Sequence, residues 1–339
     1  MKRAKNLWDQ ITAPDNIALA HKQARSGKSF YAEVKMVDAN PYYYLDIIRS
    51  ALVAKTFSTS PYDVEDRFDG RKVRTIHKLP YFPDRIVQHA LINVIGPILV
   101  RGFIRDTFQS ISGRGTSDAA KRIKTLVQAD ASPKYAMKMD VKKYYPSVDN
   151  DILKTEVRRK IKCQDTLWLI DDIIDSIRGL PIGNYTSQHF GNLYLSRFDW
   201  WMKQHVRPVG YFRYCDDFVV LDTSVERLLD IKQQSEDRLQ QLGLTIKPSW
   251  SISDITRDGV DFVGYVFRPT STRLRRTLAN GLKAACRRLT RSRTLPDNAL
   301  SRLMAYKGWV TRANGRQLWR KHISARLRRE FPKQLRGTV

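Results

Sequence analysis

Apolar residues recur at helical spacing over several stretches of the chain, and the spacing switches to alternation at a few places. Helices are predicted over Asn6 to Ile11 and over Asn40 to Lys55, where Pro41 suits a first helical turn. Residues 60 to 82 are strand-like. There Val64-Glu65-Asp66-Arg67-Phe68 and Lys72-Val73-Arg74-Thr75-Ile76 flank Asp69-Gly70, the pattern of a β-hairpin. Pro83 to Arg101 sets Ile86, Ala90, Leu91 and Val94 on one face of a helix, and Ser117 to Ala129 predicts another. Tyr135 to Val141 reads as a strand with Asp140 at its end. Helices follow over Asp149 to Ile161 and Leu167 to Ile177, then a loop over Leu180 to Thr186 and a long aromatic-rich helix over Ser187 to His205. Tyr211 to Leu221 is two apolar runs around Asp216-Asp217. Val225 to Leu242 is an amphipathic helix, Leu244 to Pro269 strands and turns, and helices return after about Ala279. Strands and helices alternating between 130 and 270 predict an α+β fold, a small antiparallel sheet backed by helices.

Charge adds a partner class to this picture. With 60 Lys and Arg against 34 Asp and Glu, the formal charge is +26. So large an excess of one sign repels itself unless a polyanion neutralises it, which points to nucleic acid, with an anionic membrane surface as the minor competitor. The 69 residues from Ser271 to Val339 hold 19 Lys or Arg and two acids, Asp297 and Glu330, a net +17. These basic residues interleave with Trp309, Trp319 and leucines at roughly helical spacing, as in a folded basic bundle lying along a phosphate backbone. A 42% hydrophobic content can supply a core. The longest apolar run, Ala90 to Val100, is interrupted by Asn93, Gly96 and Pro97, so no membrane span is expected. Met1 to Asp15 lacks the apolar core of a signal peptide. Three cysteines, Cys163, Cys215 and Cys286, match no zinc spacing, and six histidines form no ligand pattern. A reducing, cytoplasmic setting is the expectation.

The acids give the candidate chemistry. Asp216 and Asp217 sit at the tip of the predicted hairpin, and Asp140 ends a strand 76 residues earlier. Three carboxylates converging on neighbouring strands would repel one another unless cations bind. Two-metal phosphoryl transfer needs this arrangement, with Mg²⁺ ions roughly 4 Å apart on hard oxygen ligands.

Five motifs then stand in a telling order. They are Asp140-Val141-Lys142-Lys143-Tyr144-Tyr145-Pro146-Ser147, Leu180-Pro181-Ile182-Gly183-Asn184-Tyr185-Thr186-Ser187-Gln188, Tyr214-Cys215-Asp216-Asp217, Leu242-Gly243-Leu244-Thr245-Ile246-Lys247 and Phe262-Val263-Gly264-Tyr265. Upstream lie Arg74-Thr75-Ile76, Asp84-Arg85-Ile86-Val87-Gln88-His89-Ala90-Leu91 and Gly113-Arg114-Gly115-Thr116. In this order the set resembles the reverse transcriptases, strongly over residues 60 to 270. The Ile-Gly-x-x-x-Ser-Gln loop, where many relatives read Gln-Gly and Ser-Pro, resembles the enzymes of diversity-generating retroelements.

The resemblance implies a right-hand polymerase fold. Residues 1–55 would be an N-terminal helical extension, 56–134 and 150–180 fingers, 135–149 and 181–270 palm, and 271–339 a basic helical thumb. Asp140, Asp216 and Asp217, with the Val141 carbonyl, would hold two Mg²⁺ ions, for which Mn²⁺ could substitute. Lys247 would be a general acid toward pyrophosphate. Lys72 and Arg74 would grip the triphosphate, where a guanidinium offers a bidentate fork. Tyr145 would exclude the 2′-hydroxyl, with Ile182, Gly183 and Gln188 around the incoming nucleotide. Asn184 and Gln188 could orient template or nucleotide, or equally cap the helix starting near Ser187. Phe262, Gly264 and Tyr265 would form the primer grip. Arg114, Arg287, Arg288, Arg316 and Arg320 would contact nucleic acid. The implied partners are template and primer RNA, cDNA, dNTPs and a small basic pentameric accessory protein, for which residues 1–55 are a candidate surface. The implied activity is error-prone cDNA synthesis in a bacterial host cell, with errors at adenines. Two other readings stay open: an abortive-infection, retron or group II-like reverse transcriptase, or a non-catalytic RNA-binding protein on the same fold.

Overall fold

The computed structural model describes residues 2–69, 72–129 and 133–331. They form two compact units, and the chain passes between them more than once.

The first unit comprises Met1–Ile111, Asp140–Val206 and Lys232–Pro248. It opens with helices Trp8–Thr12, Pro14–Ala24, Ala32–Ala39 and Pro41–Val53. Prolines at the first position start two of them, since a missing N–H costs nothing there. Ile17, Ala20 and Ala24 form a buried stripe on the second helix, and Asn16 Nδ2 donates to the Ala90 carbonyl at 3.0 Å. Ala90 belongs to Ile86–Val100, a helix with buried residues on nearly every side and the centre of this unit. The helices over 14–24 and 32–39 lie in the extension expected to be helical, but their bounds were not anticipated; their apolar stripes are short, Ile17, Ala20 and Ala24 on one and Val34 and Val37 on the other. Strands β1 (Asp63–Asp69) and β2 (Lys72–Lys78) pair antiparallel, from Asp63 opposite Lys78 to Asp69 opposite Lys72, as the alternation predicts. Gly70 of the predicted turn lies outside the described residues. A two-residue strand, β3 (Thr107–Phe108), follows.

Further helices of this unit are Tyr144–Ser147, Asn150–Arg158, Gln164–Asp175, Tyr185–Tyr194 and Ser196–Trp201. Asp149 caps the second of these, its Oδ1 accepting from the Asp151 and Ile152 amides at 2.9 Å. The single helix predicted over 187–205 is thus divided at Leu195, and it begins two residues early.

The second unit comprises Ser112–Met139, Arg207–Ile231 and Ser249–Val339. After helix Thr116–Val127 come β4 (Tyr135–Asp140), β5 (Gly210–Tyr214), β6 (Asp217–Asp222) and β7 (Ser251–Asp254). These strands are neighbours in the order β5-β6-β4-β7. Phe218 to Asp222 of β6 are all buried, as befits a strand covered on both faces. A second antiparallel sheet joins β8 (Val260–Phe262), β9 (Tyr265–Phe267) and β10 (Thr272–Leu274), with β9 central. Strand β10 lies between Pro269 and Ala279, ahead of the point where helices were predicted to return. Helices Arg276–Arg291, Ala299–Arg312, Arg316–His322 and Ala325–Glu330 then pack around Leu282, Cys286, Leu289, Leu303, Trp319 and Leu327. The spacing of 282, 286 and 289 is one helical stripe, which leaves the arginines outside. Among the described residues, no helix is long and apolar enough to cross a membrane.

Candidate active site

The acidic hairpin forms as its sequence pattern requires. Strands β5 and β6 pair antiparallel from Gly210 opposite Leu221 to Tyr214 opposite Asp217, leaving Cys215 and Asp216 as the turn. Cys215 takes φ 59°, a conformation costly for a non-glycine residue and held only where surroundings enforce it. Arg213 is one source of that enforcement. It is fully buried and its Nη1 donates to the Cys215 carbonyl at 2.8 Å. Asp217 Oδ2 lies 3.3 Å from Lys138 Nζ, which reaches across from β4.

Asp140 ends β4, where the chain leaves the second unit for the first. Lys138 precedes it by two residues, so the two side chains share a face of the strand. Beyond the strand, residues 140–142 run antiparallel to 245–247. The Lys247 amide donates to the Asp140 carbonyl at 2.8 Å, the Lys142 amide to the Thr245 carbonyl at 2.8 Å, and Val141 bridges Ile246. This ribbon lays the Lys247 ammonium on Asp140 Oδ1. Lys247, predicted as a proton donor to pyrophosphate, is thus an ion-pair partner of Asp140.

The loop before helix Tyr185–Tyr194 is clamped to the β1–β2 hairpin. The Ile182 carbonyl accepts from the His77 amide at 2.8 Å, and Ser187 Oγ donates to the Pro181 carbonyl at 2.7 Å. Asn184 stands at the N-cap position without capping through its side chain, which donates to Tyr62 Oη at 2.8 Å instead. The exposed amide of Tyr185 is satisfied from another helix, by Gln88 Oε1 at 2.9 Å. Gln188 is exposed and accepts from Ser110 Oγ. Tyr185 stacks on His89 with centroids 3.7 Å apart, and burial pushes the His89 and His189 imidazoles down to about 4, so both rings are neutral near pH 7.

Gly183 has φ 131°, and a Cβ there would sit 2.4 Å from the His77 carbonyl oxygen. Backbone cannot retreat as a flexible side chain can. Gly183→Ala is expected to lower unfolding free energy by about 2 kcal/mol or more, as read by urea unfolding.

Tyr144 and Tyr145, adjacent in sequence, have different surroundings. Tyr144 is buried and its hydroxyl donates to the Gly191 carbonyl at 2.6 Å. Tyr145 is half-buried, its carbonyl accepts from the Leu180 amide at 2.8 Å, and its ring meets Tyr144 edge-on at 5.4 Å.

The remaining predicted residues are dispersed over the two units. Arg74 is exposed on β2, directly opposite Arg67, whose Nε pairs with Glu65 Oε1 at 3.1 Å. Lys72 begins β2, and its side chain lies outside the described residues. Phe262 and Tyr265 are buried, so neither ring is presented to a primer. Its turn places Val263 at φ 41° and Gly264 at φ 86°, and a Cβ on Gly264 would strike Trp309 at 2.6 Å. Arg114 precedes helix Thr116–Val127. Arg287 and Arg288 are exposed and line an open basic groove with Arg291, while Arg316 and Arg320 are exposed on helix Arg316–His322. Lys138 and Arg213 were missed by the sequence reading. The only signal for either was a basic residue inside an apolar strand.

The predicted metal ligands are three carboxylates and the Val141 carbonyl, hard oxygen donors of the kind that magnesium prefers. Among the described residues, no group of three or more His, Cys, Asp or Glu side chains is gathered into a metal-holding cluster.

Residues 68–267 match the family model described as reverse transcriptase (RNA-dependent DNA polymerase). No curated protein matches the chain. Among solved structures it is similar to apo telomerase from Candida tropicalis, with a TM-score of 0.52 and 11% identity over 87% of this chain and 66% of that one. It is similar too to the Candida tropicalis telomerase complexed with a TWJ fragment of telomeric RNA (TM-score 0.52, 14% identity, 86% and 60% covered). Candida albicans telomerase in complex with a TWJ fragment of telomeric RNA scores 0.51 at 11% identity, with 80% and 57% covered. At such identity the likeness is one of fold, and the chain spans less than two thirds of each of these proteins.

Proposed function

The chain belongs to the reverse transcriptase (RNA-dependent DNA polymerase) family, and on that premise we propose that it copies an RNA template into error-prone cDNA for gene diversification. The observation that carries polymerisation is the hairpin turn at Cys215-Asp216, with Asp217 opening β6 beside the strand that Asp140 ends. Asp140, Asp216, Asp217 and the Val141 carbonyl would hold two Mg²⁺ ions, with Mn²⁺ as a substitute. When bound, such ions activate the primer 3′-oxygen and stabilise the leaving pyrophosphate. Arg213 fixes the turn that presents Asp216. Lys247, held on Asp140, would reach the pyrophosphate from the same ribbon. The exposed arginines 287, 288, 316 and 320 would follow the template–primer duplex through its backbone. Residues 1–55 carry the exposed aromatics Phe30, Tyr31, Tyr42 and Tyr43, and this extension would seat a small basic pentameric accessory protein.

The diversification reading rests on Ile182. Its backbone is pinned to β2 while its side chain is half-exposed, so it can be exchanged without moving the loop. A glutamine there could hydrogen-bond a correctly placed nucleotide; isoleucine cannot, and selectivity against misplaced ones falls. Ile182→Gln is expected to lower misincorporation at adenines by roughly tenfold. The test is sequencing of cDNA made in vitro from a primed RNA template with dNTPs and Mg²⁺. An error spectrum unchanged by the substitution removes the link to diversification, and absence of any cDNA removes the polymerase reading.

A further inference from the structure

Lys138 is not among the residues that the family motifs single out, yet its ammonium makes two contacts. It is 3.3 Å from Asp217 Oδ2 on β6, and it donates to the Asp261 carbonyl on β8 at 3.3 Å. The contacts continue past Asp261. The Asp261 carboxylate accepts from Arg275 Nε at 2.6 Å, and the Arg275 amide donates to the Gly264 carbonyl at 2.9 Å. Arg275 is the residue from which helix Arg276–Arg291 springs. Gly264 in turn lies against Trp309 of the next helix, and Tyr265 packs on the same ring with centroids 5.2 Å apart. One line of polar contacts therefore runs from the acidic hairpin, through a β4 lysine, to the β8–β9 hairpin and the first helix of the basic bundle. Every member lies within the second unit.

We propose that Lys138 is a positioning residue that registers Asp217 against the β8–β9 hairpin, and through it fixes where the primer terminus lies relative to the carboxylates. This rests on the polymerase reading above. Both ion pairs in the line are part-exposed, and pairs of that kind add little to folding stability. What a short cation between two hairpins does supply is distance. A displacement of about 1 Å at a reacting centre can reduce rate by up to a hundredfold. Lysine suits the place: its flexible stem lets one point charge serve a carboxylate and a carbonyl on different strands. Its position two residues before Asp140 puts it on the same face of β4 as that acid.

The test uses the full chain on a primed RNA template in single-turnover reactions. Lys138→Met is expected to lower the polymerisation rate constant by roughly ten- to a hundredfold, leaving the Kd for dNTP within about twofold. Lys138→Arg, which keeps a cation of similar reach, recovers most of the rate. Lys138→Met combined with Arg275→Met costs less than the product of the single losses, because both break one line of contacts. A readout without turnover is the fluorescence of 2-aminopurine at the primer terminus. It brightens in Lys138→Met as the terminal base unstacks, and stays at the wild-type level in Lys138→Arg. Melting temperatures stay within roughly 2 °C of the wild type. Wild-type rate in Lys138→Met, a loss confined to dNTP affinity, or unchanged 2-aminopurine signal would overturn the proposal. A wild-type chain that extends no primer defeats the polymerase reading instead, while the 2-aminopurine comparison still reports on the line of contacts.

Discussion

Asp216→Asn is expected to lower primer extension by a factor of about 10³ or more, with the fold intact. The substitution keeps the size of the side chain and removes its charge. A bound divalent ion contributes several kcal/mol to transition-state stabilisation, and each 1.4 kcal/mol is about tenfold in rate. Asp216 lies in the two-residue turn between β5 and β6, away from the ladder that pairs Tyr214 with Asp217. The turn is held by the backbone carbonyl of Cys215 and the buried Arg213, not by the Asp216 carboxylate alone. Circular dichroism and melting should therefore match the wild type. Mn²⁺ binding followed by electron paramagnetic resonance should weaken in parallel with the rate. Asp237→Asn, on the exposed side of helix Val225–Gln240, serves as the control and should leave both unchanged. Extension at wild-type rate by Asp216→Asn would remove the two-metal assignment at its root.

Much of this hairpin was legible because its signal is local. Two apolar runs of fixed length around an acidic pair fold back on each other with the acids at the tip. The β1–β2 hairpin was legible for the same reason. The helices over 14–24 and 32–39 were not, since their apolar stripes are short and the partners that bury them come from elsewhere in the chain, Ile86–Val100 for the first and Tyr81–Arg85 for the second. Strand β10 was hidden too. Thr272 to Leu274 carry no alternation, and their state is set by β9, which offers an open edge. Residue types at the site were readable, but contacts made by long side chains were not. Lys138 and Lys247 look like surface lysines in sequence, and only the strand neighbours bring their ammonium groups onto Asp217 and Asp140. The buried faces of Phe262 and Tyr265 were likewise invisible, because an aromatic pair in a short hairpin fits a core as well as a ligand surface.

Tyr145→Ala is expected to raise incorporation of ribonucleotides relative to deoxyribonucleotides by roughly 10- to 200-fold, whereas Tyr144→Phe leaves that ratio unchanged. The two rings differ in what holds them. Tyr144 is committed to the interior: its hydroxyl is spent on the Gly191 carbonyl at 2.6 Å, and its ring lies so near Gly191 that a Cβ there would be 3.3 Å from Cε1. Losing that hydroxyl costs about 1–3 kcal/mol of stability through an unsatisfied carbonyl, with no route to the sugar. Tyr145 is held by its backbone, through the Leu180 amide, and by the edge of the Tyr144 ring, so its half-exposed side chain is stiff and still faces solvent. A stiff ring is what exclusion of one hydroxyl requires, because a flexible side chain would swing aside. Alanine removes the ring and leaves the Leu180 contact, so dNTP turnover should fall far less than discrimination does. Competition between a dNTP and its rNTP on one template, resolved by alkaline cleavage of the product, measures the ratio. If Tyr145→Ala leaves the ratio at the wild-type value, the excluding surface is not this ring. A change produced by Tyr144→Phe would assign it to the buried neighbour.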